Sequence, residues 1–505
     1  MSLMGIDIGT TGTKAVAFRE NGDILSTAYR SYEELFPRPG WVEMDPNQIW
    51  QAVCEVIRQV AGEVSTDPIQ AIGVSVLGEA VTPIDKDLRP LYNTVPSVDA
   101  RCKAQVEWWD QKVGVEKIYA ITGQPLHTSY SINKVMWFRD EMPQTFSRAW
   151  KFLLWEDLFC CWMGLEPVID HSLASRTMAF DIHSRQWSQA LLGTANISSE
   201  LLAKPVQAGE AVGEIPASQA RELGLPDRVI VTVTGHDVIN GAFGAGVIHQ
   251  GQSVLTIGTT EAIVVALDQP RMTRDLSRET FACYCHTFPK KYAALAYSTC
   301  SGNLLRWYRD HFGQLEVEEA KKQGGNVYDL LTAKANLGKS GLLLLPHFIG
   351  SGTPYLDPES RGVILGLNLA TEAEDILAAI LEGTTFELKV NLDLYAQAGI
   401  RVKEMRAVGG GAKSDRWLQL KADITGLPIT RLDLTESGCL GAAIQAGTAS
   451  GAYSSREEAL DELVKLGTLF EPNLKTGSYY SELYAAYREL YQSVKPFSKI
   501  LAKYK

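Results

Sequence analysis

Ile6-Asp7-Ile8-Gly9-Thr10-Thr11 near the start of the chain and Leu255-Thr256-Ile257-Gly258-Thr259-Thr260 at its middle say nearly the same thing twice. In each, a short apolar strand runs into Gly-Thr-Thr, a tight turn whose backbone N–H groups and hydroxyls can hold phosphate oxygens. The copies lie roughly 250 positions apart, a large domain's length, so the sequence reads as a duplicated domain whose halves face each other across a nucleotide. One position breaks the likeness, because Asp7 stands where the second copy has Thr256. A single carboxylate beside a phosphate loop suffices to hold Mg2+, directly or through water, and Asp7 is the candidate metal residue.

Outward from the first turn, residues 3–8, 14–19 and 23–29 read as strands, with Asn21-Gly22 as a hairpin turn between the last two. Past Pro39-Gly40 and Asp45-Pro46, Ile49, Trp50, Val53, Val56, Ile57 and Val60 keep a helical period, with Pro46 where helix starts tolerate it. A strand at 70–77 follows, and this element order opens an α/β domain. The stretch from about 95 to 225, rich in Trp, Tyr and long side chains, reads as an insertion that walls the substrate pocket. From Gln252 the pattern restarts, later giving a strand at 342–345 and a long helix at about 371–398, introduced by Thr371 with acidic residues in its first turn. No Pro-, Gly- or Ser-rich linker separates the halves, so the boundary near 248 reads as a tight hinge of the kind a closing cleft uses.

The 505 residues suffice for two full cores, and 45% hydrophobic with 21% charged content is ordinary for a globular protein. A net charge of −11 argues against capture of nucleic acid or of anionic membrane, both of which need clustered Lys and Arg. With no long apolar window and no charged-then-apolar leader pattern, a cytoplasmic location is expected. The eight cysteines are too scattered for a disulfide framework, and Cys283-Tyr284-Cys285-His286 has no second pair at metal-site spacing.

Between the two turns lies Val231-Thr232-Val233-Thr234-Gly235-His236-Asp237, a β-branched strand that ends in a carboxylate just ahead of Gly241, Gly244 and Gly246. Asp237 is placed to accept a proton from a substrate hydroxyl or, in the plainer reading, to cap a helix. Lys14 adds a cation to the first loop beside Thr10 and Thr11. Val408-Gly409-Gly410-Gly411-Ala412-Lys413-Ser414 follows a strand and precedes a helix beginning near Asp415. Three adjacent glycines let backbone approach a flat ring or a phosphate and suit an adenosine site.

These motifs resemble the FGGY carbohydrate kinases, of the actin, hexokinase and Hsp70 ATPase superfamily. Ser129-x-Ser131-x-x-Lys134-Val135-x-Trp137-Phe138-x-Asp140-Glu141 is similar to one family signature. Gly362-x-Ile364-x-Gly366-Leu367 through Asp375-Ile376-x-x-Ala379-Ile380-Leu381-Glu382 is similar to the other. Pro39-Gly40-Trp41-Val42-Glu43 with Asp45-Pro46 matches the family's early segment, and the likeness spans about residues 4–450. It implies an α/β fold of two ribonuclease-H-like (actin/hexokinase-type) domains, 1–247 binding sugar and 248–505 binding ATP, with the cleft between them. It further implies ATP and Mg2+, and in-line transfer of the γ-phosphoryl group to a hydroxyl of a sugar, polyol or sugar acid after domain closure. Asp237 then matches the general base, Asp7 the residue beside Mg2+, and Thr10, Thr11 and Lys14 positions near the transferred phosphate. Gly258 and Thr259 match the second phosphate loop, Gly302 and Arg306 the nucleotide lining, and Gly410, Gly411, Ser414 and Asp415 the adenosine contacts. Family members are often dimers or tetramers, so a homodimer is an expectation by analogy.

Departures from the family pattern bear on the substrate. Glycerol kinases surround theirs with an Arg-Glu pair, a Trp, a Tyr, a Gln and a Phe, where this chain has Gly78-Glu79, Ser97, Ser129, Val238 and Ala262, leaving room for a larger acceptor. Xylulose kinases show Gln-x-His, Trp-Asn-Asp and Gly-Gly-Gly-Asp-Asn, where this chain reads Leu77-Gly78-Glu79, Ser97-Val98-Asp99 and Thr234-Gly235-His236-Asp237-Val238. Thr122-Gly123-Gln124-Pro125-Leu126-His127 is nearest to the corresponding stretch of gluconate kinases, yet a Glu79 facing the pocket would repel a carboxylate. The resulting order is a five- or six-carbon ketose or polyol, as in xylulokinases, then a sugar acid such as gluconate, then glycerol. Glu79, Asp99, Arg101 and Asp237 are the candidates for binding its hydroxyls, with Asp99 and Arg101 reading equally as a mutual surface ion pair. Outside the kinases, the alternative is a non-kinase actin-like ATPase or a sugar-binding protein. A repressor would need a basic helix-turn-helix before residue 4 and a chaperone a β domain after 450, whereas 450–505 reads as helical.

Overall fold

Two sheets repeat a single plan in the computed structural model, which describes residues 2–273, 281–433 and 436–504. In the first, Ser2–Ile8, Gly12–Arg19 and Ile24–Ser31 form an antiparallel meander. Ile69–Val76 and then Ile230–His236 add in parallel on the other side of Ser2–Ile8, and Ala211–Glu214 runs antiparallel at the edge. In the second, Gln252–Ile257, Glu261–Leu267 and Tyr292–Ser298 make the meander, Glu404–Val408 and Ile429–Leu432 add in parallel, and Leu466–Phe470 closes the edge antiparallel. Ala282–Cys285 extends the second meander by one strand. The duplication read from two Gly-Thr-Thr turns is therefore a duplication of strand order, with each turn joining the first two strands of its sheet. The α/β class expected from the sequence is the class observed.

Central strands are covered on both faces and are accordingly near-continuous in apolar residues, as in Leu3, Met4, Ile6 and Ile8 or Ile72, Val74 and Val76. The helix Pro46–Glu63 lays Ile49, Val53, Val56, Ile57 and Val60 on the first sheet, and Asp45 caps it by accepting the Asn47 N–H at 2.8 Å. The long helix is Ala373–Gln397, and its cap differs from the expected one. Glu372 precedes it and donates its N–H to Asp375 at 2.9 Å, while the Thr371 hydroxyl accepts from Asn368 N–H at 3.0 Å. The tail beyond residue 450 is helical at Arg456–Leu463 and Leu474–Leu501 but also supplies the edge strand Leu466–Phe470. Leu474–Leu501 docks on Ala373–Gln397 through phenol-to-carboxylate bonds, Tyr480 to Glu382 at 3.0 Å, Tyr484 to Asp393 at 2.7 Å and Tyr487 to Glu387 at 2.5 Å.

A division near residue 248 separates the strands of the two sheets, whereas the helix Ser437–Ser450, from the second half, covers the first sheet and lies beside Asp237–Gly244. Glycines permit the approach. A Cβ at Gly5 would sit 1.9 Å from the Cys439 carbonyl oxygen, at Gly73 2.1 Å from that of Ala442, and at Gly244 1.9 Å from that of Ser437. Asn240 Nδ2 donates to the Gly438 carbonyl at 2.7 Å and Gln445 Nε2 to Asn240 Oδ1 at 3.0 Å, so backbone contact and polar contact coincide.

Gly5→Ala is expected to lower stability by about 1–3 kcal/mol or more, because helix backbone rather than a flexible side chain must give way. Gly62→Ala, in the helix Pro46–Glu63 where a Cβ meets nothing within 4 Å, is expected to raise it. The gain is a few tenths to about 1 kcal/mol. Thermal midpoints of the two variants against the parent check both signs.

Candidate active site

Three adjacent parallel strands, Ser2–Ile8, Ile69–Val76 and Ile230–His236, deliver Asp7, Glu79 and Asp237 at or just past their C-terminal ends. That edge is where open α/β sheets bind ligands. Asp237 opens the helix Asp237–Gly244, its side chain 31% exposed, with Oδ1 accepting the Val238 N–H at 2.6 Å and lying 3.1 Å from His236 Nε2. Burial pushes its carboxyl up to about 8, helped by the negative charges of Asp7 and Glu79 and opposed by the Val238 N–H and Arg176. Asp7 is pushed up to about 6 by burial, with Lys14 opposing and Glu436 adding to the rise. Asp7 Oδ1 is buried with no hydrogen-bond partner among the described residues, an acceptor suited to a cation. No group of three or more His, Cys, Asp or Glu that could hold a metal is found among the described residues. A lone carboxylate fits Mg2+, which takes one or two protein carboxylates and completes its shell with water and substrate phosphates.

Lys14, on the first turn's second strand, meets Glu436 at 2.9 Å, a residue that the crossing helix Ser437–Ser450 carries to this edge. The turn itself is closed by Gly9 N–H to the Gly12 carbonyl at 3.0 Å, which leaves Thr10 half-buried and Thr11 exposed at its tip. Asp237 is aimed from below by groups that the sequence reading missed. Glu156, wholly buried, accepts the Gly235 N–H at 2.6 Å and the Asp170 N–H at 2.7 Å, and Ser172 Oγ accepts the His236 N–H at 3.0 Å. Gly235 has φ +94° and no room for a Cβ, which would meet Ser172 Oγ at 2.3 Å and Asp170 Oδ1 at 2.6 Å. Residues of the insertion read at about 95–225 thus hold the backbone that leads into Asp237.

Glu79 is buried and ion-paired with Arg176, and Lys134 Nζ donates to its carbonyl at 2.7 Å. Tyr284, from the second sheet's extra strand, brings its hydroxyl to 3.3 Å from His236 Nδ1. Asp99 and Arg101 do pair, at 2.8 Å, but in the interior rather than on the surface. Neither side chain has exposed area, Arg101 also meets Glu43 at 3.0 Å, and its guanidinium lies 4.0 Å over Trp41 and 4.8 Å from Trp137. Both Asp99 oxygens already accept protein donors, from Arg101 and from the Val42 N–H, while Arg101 Nη1 is a buried donor without a hydrogen-bond partner among the described residues.

In the second half, Glu261 follows the second turn and is anchored by Lys421 at 2.8 Å and Ser301 at 3.2 Å, both buried. The helix Gly302–Phe312 starts there, its first N–H donating to the Gly258 carbonyl at 3.0 Å, and Arg306 Nη2 reaches Thr259 Oγ1 at 3.4 Å. Beside them opens a cavity of about 460 Å3 whose lining includes Gly258, Thr259, Gly302, Arg306, Gly410, Gly411 and Ser414. A Cβ at Gly411 would strike Ile257 Cγ2 at 2.3 Å, so the triple glycine lets this loop lie against the second strand end. Asp415 is outside the lining and is ion-paired with Arg431, whereas Tyr328, Thr332 and Trp417 line it without having been singled out in sequence. Trp417 carried a signal, two residues past Asp415 on the helix that the glycines introduce.

The sequence model of the N-terminal domain of the FGGY family of carbohydrate kinases matches residues 2–244, and that of its C-terminal domain residues 253–450. The chain belongs to the FGGY family of carbohydrate kinases. Among its relatives, the xylulose kinase of Staphylococcus epidermidis is 28% identical over 497 residues, 98% of this chain and 97% of that protein. The gluconokinase of Bacillus subtilis is 30% identical over 464 residues, 91% of this chain and 90% of that one. The solved structure of ligand-bound xylulose kinase from Lactobacillus acidophilus superposes with a TM-score of 0.88 at 25% identity, covering 98% of each chain. No helix of this FGGY kinase, among the described residues, is long and apolar enough to cross a membrane.

The folded Asp237 carboxyl binds its proton more tightly than the unfolded one, so stability falls as pH rises from about 4 through about 8. Asp237→Asn removes that dependence. Its thermal midpoint is expected to match the parent near pH 4 and to exceed it by a few degrees near pH 8. A difference that stays constant with pH would show that the carboxyl is not held in this way.

Proposed function

We propose that this FGGY kinase transfers the γ-phosphoryl group of ATP to a hydroxyl of a five- or six-carbon ketose or polyol, in the manner of the xylulose kinases that it resembles. The observation that carries the reading is Asp237, a carboxylate with raised proton affinity on the strand edge it shares with Glu79 and Asp7. Phosphorylation of a sugar acid is the second reading, favoured by the 30% identical gluconokinase.

In this mechanism the acceptor hydroxyl lies against Asp237, with Glu79 accepting from a neighbouring hydroxyl. Asp237 Oδ takes the hydroxyl proton as the oxygen forms its bond to the γ-phosphorus in line with the departing ADP oxygen, and His236 and the Val238 N–H hold the carboxylate through the step. Lys14, Thr10 and Thr11 of the first turn and Gly258 and Thr259 of the second hold the phosphates, and Arg306 braces Thr259. Gly302, Gly410, Gly411 and Ser414 hold the nucleoside in the 460 Å3 cavity, with Asp415 behind them. Mg2+ would be held at Asp7, where it neutralises phosphate charge and screens the two carboxylates from each other. Asp99 and Arg101, paired with each other and without exposed side-chain area, act on the acceptor only indirectly, as a support of the wall that carries Trp41 and Trp137. Residues 1–247 and 248–505 act as the sugar-binding and ATP-binding units, joined by the crossing helix.

ADP release with Mg·ATP is to be measured against ketopentoses, pentitols, hexoses, gluconate and glycerol. One neutral sugar or polyol is expected to raise turnover well above the background, and Asp237→Asn to lower kcat by about 10²–10⁴-fold, the range for losing a general base. Asp237-independent turnover of that compound would remove Asp237 from the reaction.

A further inference from the structure

Arg176 belongs to no motif singled out in the sequence, yet its guanidinium sits at the centre of the sugar-facing edge. It is ion-paired with Glu79, donates to Gln124 Oε1 at 3.1 Å, and lies 5.1 Å from the Tyr130 ring and 5.3 Å from the Tyr284 ring. From Tyr284 the contacts continue to His236 and from there to Asp237. The pair is shielded, with side-chain exposures of 12% for Arg176 and 4% for Glu79.

Glu79 occupies the left-handed region at φ +59°, where residues other than glycine are uncommon. Such a conformation persists when the surroundings over-determine it, and here Lys134 does so by donating to the Glu79 and Ser129 carbonyls at 2.7 and 2.6 Å. The Lys134 ammonium is wholly buried and committed to those two carbonyls, so it orients Glu79 rather than facing a ligand. His127 and His236 nearby are both kept neutral by burial, and His127 bonds Ser129 Oγ at 2.9 Å. Arg176 Nε and Gln124 Nε2 are buried donors without a hydrogen-bond partner among the described residues, and a substrate hydroxyl is an acceptor that would satisfy them.

We infer that Arg176 and Glu79 act together as the specificity-determining pair, selecting a neutral polyhydroxylated acceptor and rejecting an aldonate. Rejection follows because a desolvated carboxylate needs an unpaired cation, and the cation here is already matched to Glu79 while Asp7 and Asp237 add negative charge to the same edge. This inference rests on the kinase reading above.

The test is the ratio of kcat/KM for the best neutral acceptor to kcat/KM for gluconate, which does not depend on the fraction of enzyme that is folded. The parent ratio is expected to exceed about 100. Glu79→Gln leaves Arg176 unpaired and is expected to lower the ratio at least about tenfold by creating an oxyanion site. Arg176→Gln leaves Glu79 unmatched and is expected not to lower it. A parent that prefers gluconate, a smaller change in Glu79→Gln, or a fall in Arg176→Gln overturns the inference and leaves the kinase reading standing. Absence of turnover with every acceptor overturns both. Should Glu79→Gln fail to fold, the parent and Arg176→Gln ratios decide.

Discussion

Two half-buried carboxylates face each other's charge at one sheet edge, and the surrounding structure holds them there. Asp7 and Asp237 stand at the ends of parallel strands that flank a third, and the Asp7 charge adds to the proton affinity that burial gives Asp237. An isolated pair would relax apart or draw in solvent. Here Glu156, Asp170 and Ser172 grip the backbone just before Asp237, and Lys14 lies beside Asp7 with Glu436 behind it. The repulsion is retained as an affinity for positive charge at this edge.

The duplicated sheet explains why the two halves do different work with one plan. In the first half the strand end carries a carboxylate and the neighbouring strands carry two more. In the second, Thr256 replaces it, and the acidic residue past the turn, Glu261, is neutralised by a buried Lys421. One edge is therefore left electrostatically hungry while the other is settled and open, with a glycine-lined cavity rather than charge.

The parts that could be read from sequence were those encoded locally. A Gly-Thr-Thr turn after an apolar run, a strand that ends in Gly-His-Asp, and three glycines before a helix each carry their geometry within a few residues, and the strands at 3–8 and 70–77 fall where the structure has them. What escaped depended on distant partners. Arg176 lies in an insertion with no periodic pattern, and its ion pair appears only when Glu79, 97 positions earlier, is folded against it. The Lys14–Glu436 contact spans 422 positions. Asp99 and Arg101 were legible as a pair because both side chains come from one short turn, but not as a buried one, since Trp41 and Trp137 arrive from elsewhere to cover them. The edge strand Leu466–Phe470, short and largely exposed, lacks the apolar run that marked its central neighbours.

The crossing helix also sets a schedule for biosynthesis. The last central strand of the first sheet ends at His236, but the helix that covers its glycine face spans Ser437–Ser450, so the ribosome must add about 200 more residues before that face can close. At ordinary translation rates of about 5–20 residues per second this leaves an apolar sheet surface unprotected for about 10–40 s. Completion of the first sheet therefore waits on a segment of the second half, and the face lined by Gly5 and Gly73 closes only once Ser437–Ser450 has been made.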